Sequence, residues 1–251
     1  MRVPNGFDLE LALQLAGLCG DAYNQYNFYK RGQIWPGPDG YKLEKTFNAV
    51  YENRDMPLGF IASRGDDVYV SWRGTSSVKE WIEDAKVEQV KCAFLADSNV
   101  DVELGFHQLY TTGPNGSSPR SEVLNYLKDR KINGMIYVTG HSLGSALSVL
   151  NILDIAVNTS HKKIALYTFA GPRTGSPEYA SIYNSVIVDS WRVVNVNDEV
   201  PKLPFKNSLG YHYKHVEKEF DITFGGAMPW HWGDDHSLSN YISQLKKMKS
   251  A

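Results

Sequence analysis

The sequence predicts an α/β fold with a central, mostly parallel mixed sheet flanked by helices, and three observations carry that prediction. From the middle of the chain onward, short apolar runs of strand type alternate with longer helical stretches, the pattern of parallel strands joined by crossover helices. The 251 residues are 42% hydrophobic and 22% charged, a globular balance far from disordered or collagenous compositions. No internal repeat, low-complexity tract or domain-length linker divides the chain, so residues 1–251 read as a single domain. The 26 basic against 28 acidic side chains leave a net charge of −2. That near balance gives no general reason to attract nucleic acid or anionic membranes.

The elements follow in order. Residues 8–23 carry leucines at 9, 11, 13, 15 and 18 behind Asp8 and read as a capped helix. Residues 27–40, rich in aromatics, Gly and Pro, read as loop. The alternating runs 58–63 and 67–72 around Arg64-Gly65-Asp66 predict a hairpin. Further strands are expected at 85–90, 135–139, 164–170, 191–196 and 213–220. Helices are expected at 120–130, 143–158, 178–185 and 238–249. No window approaches the roughly 18 apolar residues of a membrane helix, and no signal-peptide core follows the N-terminus. A cytoplasmic protein, or a mature secreted form without its signal, fits both facts. Cys19 and Cys92 are too few for a disulfide scaffold, and one bond or two buried free thiols are both open.

The densest chemical signal is Gly140-His141-Ser142-Leu143-Gly144. G-x-S-x-G alone is a weak pattern, but here it joins a buried strand to a long apolar helix. That hinge is what a nucleophile elbow requires: small residues permit a sharp turn that pushes the Ser142 hydroxyl above the sheet. The helix N-terminus behind it offers N–H groups and a positive dipole end to a developing oxyanion. A serine needs a base to take its proton and a carboxylate to orient that base. Asp198, just past the strand 191–196, lies at the same sheet edge as the elbow, whereas Asp189 lies at the strand's opposite end; Glu199 is the close competitor. Among the histidines that follow, His212 and His215 read as surface or pairing residues. His236, at the junction with the last helix, is the better base, with His231 next. His231, Asp234, Asp235 and His236 also admit a metal reading, but no other His or Cys pair has ligand spacing, so no metal and no cofactor is expected.

The chain resembles the fungal-type, class three lipases of the α/β-hydrolase superfamily. Four separated stretches carry the resemblance: 71–77 (Ser-Trp-Arg-Gly-Thr-Ser-Ser), the elbow, 168–175 (Thr-Phe-Ala-Gly-Pro-Arg-Thr-Gly), and 197–201 (Asn-Asp-Glu-Val-Pro) with His236 downstream. The resemblance implies a Ser142–His236–Asp198 triad. It implies an oxyanion hole from the N–H and hydroxyl of Thr75 and the N–H of Leu143. It also implies a short lid helix over 77–84, with Val78, Trp81 and Ile82 on one face; a plain surface helix is the alternative. The expected activity is carboxylic-ester hydrolysis through an acyl-enzyme, triacylglycerol lipase first, with feruloyl esterase or phospholipase A as alternative. A non-catalytic lipase-like binding protein is the reading from a different class; it predicts a missing triad member, and none is missing.

Trp81, Phe205, Met228, Trp230 and Trp232 are the candidate substrate-binding residues. They give a location to part of the 12% aromatic content. The expected partners are a lipid or other ester substrate and a transient lipid–water interface, with no nucleic acid. The family resemblance favours a secreted protein, although two cysteines depart from its disulfide-rich fungal members.

Overall fold

Strands with β-branched and aromatic residues, buried on both faces, set the centre of the molecule. The computed structural model describes residues 3–51, 54–75, 87–96, 99–113, 116–128, 130–226 and 232–250. The strands of the main sheet are β1 (Lys42–Tyr51), β2 (Arg54–Arg64), β3 (Asp67–Trp72), β6 (Ile136–His141), β7 (Ile164–Phe169), β8 (Ser190–Asn195) and β11 (Glu219–Ile222). They lie in the order β1-β2-β3-β6-β7-β8-β11. The first three pair antiparallel, and every pair from β3 onward is parallel. Two small two-stranded sheets, β4 (Gln89–Lys91) with β5 (Asp101–Glu103) and β9 (Asn207–Ser208) with β10 (Tyr211–His212), complete the strand set described.

Helices cover both faces. α1 (Leu9–Lys30) and α7 (Leu238–Lys249) pack on one side, where Leu15, Leu18, Tyr167, Tyr241 and Leu245 share a core. The other side holds α2 (Leu104–Thr111), α3 (Pro119–Lys128), α4 (Leu143–Asn158) and α5 (Pro177–Val186). Trp72, Tyr110, Leu147, Leu150 and Tyr179 centre that second core. The single turn α6 (Trp232–Asp235) precedes α7. α4 is buried from Leu143 to Ala156, so its polar residues must find partners inside the protein. Ser145 donates to the carbonyls of Gly140 and Phe169 at 2.8 Å each, which fixes the first turn of the helix against two strand ends.

Asp154, fully buried in α4, is the costliest of these groups. Its carboxylate accepts from Arg120 Nε at 2.5 Å and Nη2 at 3.1 Å, Tyr110 Oη at 2.9 Å and Asn158 Nδ2 at 2.6 Å. Removing the cation strands a buried charge, which costs about 3 kcal/mol or more. Arg120→Ala is therefore expected to lower unfolding free energy by about 3 kcal/mol in a denaturant titration. A loss below about 1 kcal/mol would contradict the buried-pair reading.

Several elements differ from expectation. α1 extends to Lys30, into a stretch read as loop. β1 is not expected from the sequence: it is an edge strand whose register shifts at Leu43/Lys45 and Phe47/Asn48, so its alternation slips. α2 was also missed. The strand expected over 213–220 is confined to Glu219–Ile222, because Tyr213 and His215 turn their side chains onto neighbouring loops. The strand expected over 85–90 starts at Gln89, with residues 85–86 outside the described residues. The lid stretch 77–84 lies outside them as well. Cys19 and Cys92 are free and buried; burial pushes both thiols up to about 12, which keeps them protonated and unreactive.

Candidate active site

Ser142 sits between β6 and α4 with φ +59° and ψ −129°, a region that L-residues avoid at a cost of about 1–3 kcal/mol. The surroundings hold the turn in place. A Cβ on Gly144 would lie 2.2 Å from the Trp72 carbonyl oxygen, so α4 approaches β3 too closely for any side chain there. A Cβ on Gly74 would lie 3.2 Å from that of Ser142 and 2.1 Å from the Tyr23 hydroxyl. The strand end that leads into Thr75 is thus pressed against the elbow. Leu143 begins α4, so its N–H is among the first-turn donors that lack an intrahelical acceptor.

Asp198 and His236 meet at the same edge. His236 Nδ1 lies 2.8 Å from Asp198 Oδ2, and both residues are buried. With Nδ1–H donating to the carboxylate, Nε2 is left as the basic nitrogen. Among the described residues, His236 Nε2 and Ser142 Oγ are buried without a hydrogen-bond partner. Catalytic contacts are often long in unliganded proteins and tighten around substrate. Asp198 Oδ2 also accepts from the Tyr241 hydroxyl at 2.9 Å, and Oδ1 from the Val200 N–H at 3.0 Å. Glu199, the competing acid, is half exposed and paired with Lys202.

His141 braces His236. Its Nε2 lies 2.9 Å from the His236 carbonyl oxygen, which can only accept, so Nε2 carries the proton. Nδ1 then accepts from the Tyr23 hydroxyl at 2.9 Å. Burial, and next the neighbouring His236, hold its pKa well below the usual histidine range, which agrees with this neutral form. Asn195 ties the other side, donating from Nδ2 to the Asp235 carbonyl at 3.0 Å and accepting the Phe224 N–H at 3.2 Å. The sequence reading missed Tyr23, His141, Asn195 and Tyr241; only His141, inside the elbow motif, stood where a signal existed.

The 168–175 motif contributes Arg173. Its N–H donates to the Leu203 carbonyl at 2.7 Å, and its guanidinium to the carbonyls of Lys202 and Pro204. His215 adds a 2.6 Å bond to the Pro201 carbonyl. The segment leaving Asp198 is thereby held by four consecutive carbonyls. Burial, then Arg192, drives the His215 pKa well below its usual value. His141 and His215 thus resist protonation when folded and accept it near 6.5 when unfolded. Stability is fully present above that pH and declines below it, by up to about 1.4 kcal/mol per pH unit for each group. His215→Gln, which keeps a donor for Pro201, is expected to flatten the fall in Tm between pH 6.5 and 5. An unchanged slope would contradict this assignment.

Trp81, Met228, Trp230 and the side chain of Trp232 lie outside the described residues. Phe205 is 62% exposed.

A strained serine at a strand-to-helix turn, on the same edge of a mostly parallel sheet as a buried His–Asp pair that its neighbour His141 contacts, fits the α/β-hydrolase architecture. The family model described as lipase (class 3) matches residues 69–208. The chloroplastic phospholipase A1-Igamma3 of Arabidopsis thaliana is 30% identical over 83% of this chain and 46% of its own length. The chloroplastic galactolipase DONGLE of the same plant is 30% identical over 96% of this chain and 62% of its own. The solved triacylglyceride lipase of Rhizomucor miehei is 26% identical with a TM-score of 0.70, covering 88% of this chain and 82% of that one. The chain belongs to the class 3 lipase family. It spans about half the length of the curated relatives it matches. Among the described residues, no helix is long and apolar enough to cross a membrane.

Proposed function

We propose that the protein is a serine hydrolase of glycerolipid acyl esters that works through an acyl-enzyme on Ser142. The observation that supports this reading is the grouping of three features at one sheet edge: the strained Ser142, the His236–Asp198 pair at 2.8 Å held 2.9 Å from the elbow residue His141, and the strand end at Gly74 pressed against the elbow. Ser142 Oγ attacks the ester carbonyl carbon while His236 Nε2 takes its proton. The oxygen that gains charge is met by the Leu143 N–H and by the N–H and hydroxyl of Thr75. His236 then protonates the departing alcohol, and a water activated by the same nitrogen releases the acid. Asp198 holds the imidazole tautomer and balances the imidazolium.

Triacylglycerol is the first expectation from the sequence, and the likeness to the R. miehei lipase supports it. The phospholipase A1 and galactolipase relatives favour polar glycerolipids as the second reading. A secreted location rests on the family resemblance alone, since both thiols are free and the named plant relatives are chloroplastic. The experiment is a hydrolysis panel of emulsified triacylglycerol, phosphatidylcholine, a galactolipid and methyl ferulate. Release of fatty acid from a glycerolipid supports the proposal. Activity on methyl ferulate alone would replace it with the feruloyl esterase reading.

Thr75→Val, which removes the hydroxyl and keeps the backbone N–H, is expected to lower kcat about a hundredfold with little change in KM. A loss confined to KM would exclude Thr75 from the oxyanion hole.

A further inference from the structure

Between Asp198 and β11 the chain makes a small hairpin whose tip runs against the usual chemistry of turns. Ser208 pairs with Tyr211 and Asn207 with His212, leaving Leu209-Gly210 as a two-residue turn. Both residues have positive φ, +50° and +86°. That geometry favours asparagine or glycine and disfavours a bulky apolar side chain. Leu209 is nevertheless 87% exposed, and a Cβ on Gly210 would meet nothing within 4 Å, so the tip stands in open space. The folded state gains neither packing nor favourable backbone from this leucine.

The hairpin lies on the catalytic edge. It follows Asp198, and Lys214 beyond it donates its N–H to Gly175, in the loop that leaves the C-terminal end of β7. The His212 carbonyl accepts from Gln89 and the Tyr213 hydroxyl donates to Val87. Phe205, 62% exposed, adds a second apolar side chain near the base. The Tyr213 N–H bonds to the Lys206 carbonyl, which sets Lys206 close to Lys214 at the base. Among the described residues neither lysine has an ion pair, whereas Lys202 is answered by Glu199.

We propose that the β9–β10 hairpin is a membrane anchor, inserting Leu209 into an anionic phospholipid surface while Lys206 and Lys214 meet the headgroups. An apolar tip above a basic base matches the layering of such a surface, acyl chains below and negative charge above. The anchor brings the Ser142 edge to the lipid and so rests on the glycerolipid reading. A second copy of this chain is the other occupant that an exposed leucine would suit, and the test separates the two.

The experiment measures binding of the full chain carrying Ser142→Ala to vesicles of phosphatidylcholine with and without 30% phosphatidylglycerol, by co-sedimentation. Leu209→Asn creates the Asn-Gly turn that this geometry favours, so Tm is expected to hold or rise while vesicle partition falls about tenfold or more. Lys206→Glu with Lys214→Glu is expected to erase the preference for phosphatidylglycerol, about a fivefold loss for each lysine removed. In the active protein, Leu209→Asn is expected to slow vesicle hydrolysis and leave a soluble short-chain ester unaffected. Unchanged partition of Leu209→Asn overturns the anchor. So does a concentration-dependent dimer that Leu209→Asn dissolves without affecting partition. Failure of the wild type to hydrolyse any ester overturns the glycerolipid reading instead, since the binding arm does not depend on catalysis.

Discussion

Ser142→Ala is expected to lower kcat for ester hydrolysis by about six orders of magnitude while the protein stays folded. The change deletes one oxygen atom that has no hydrogen-bond partner among the described residues, so stability loses little. The backbone at φ +59° is imposed by its neighbours, with α4 held close to β3 at Gly144 and by Ser145 on two strand-end carbonyls. Alanine keeps that turn. The rate effect is large because the nucleophile and its base act as a unit, and loss of either removes the covalent route entirely. Whatever turnover remains comes from binding and the oxyanion donors. A Ser142→Ala variant within a hundredfold of wild type would mean that another group carries the chemistry.

Asp198→Asn is expected to cost about four orders of magnitude in kcat with KM nearly unchanged. The side chain is nearly isosteric, but the hydrogen-bond arithmetic fails. Asp198 accepts from His236 Nδ1, Tyr241 Oη and the Val200 N–H, three donors converging on two acceptor oxygens. Asparagine offers one acceptor oxygen and turns the other atom into a donor. If its oxygen stays on Val200, its amide faces His236 Nδ1 and imposes the tautomer whose proton sits on Nε2, where the base must be bare. If the amide flips, it opposes the Val200 N–H instead. Tyr241→Phe, which removes one donor and leaves the carboxylate, is expected to cost far less. The ordering of the two variants is the checkable content, and steady-state kinetics on a soluble ester reads it.

The signals that point to Ser142 as the proposed nucleophile and Asp198 as its proposed acid are local. Gly140 and Gly144 bracket Ser142 between a buried strand and an apolar helix, and Asp198 follows the last residues of a strand on the same edge. His236 is proposed from its place before α7. The bracing groups were not legible, since each acts across a long sequence separation. Tyr23 reaches His141 over 118 residues and Tyr241 reaches Asp198 over 43. A tyrosine on an amphipathic helix looks the same whether it fills a core or holds a carboxylate. The edge strand β1 was hidden by its register shifts, and α2 by its shortness. Arg173 was visible as part of a motif, yet its work on the Lys202 and Pro204 carbonyls depends on a loop fold that sequence spacing does not encode.

The central claim is that Ser142 is a nucleophile activated by His236 and Asp198, and covalent labelling tests it most directly. The folded protein is treated with a fluorophosphonate probe and the modified residue is located by mass spectrometry. The expected result is a single adduct on Ser142, absent in Ser142→Ala and formed far more slowly in Asp198→Asn and His236→Ala. A folded wild type that takes no label, or a Ser142→Ala protein labelled as readily as wild type, would contradict it.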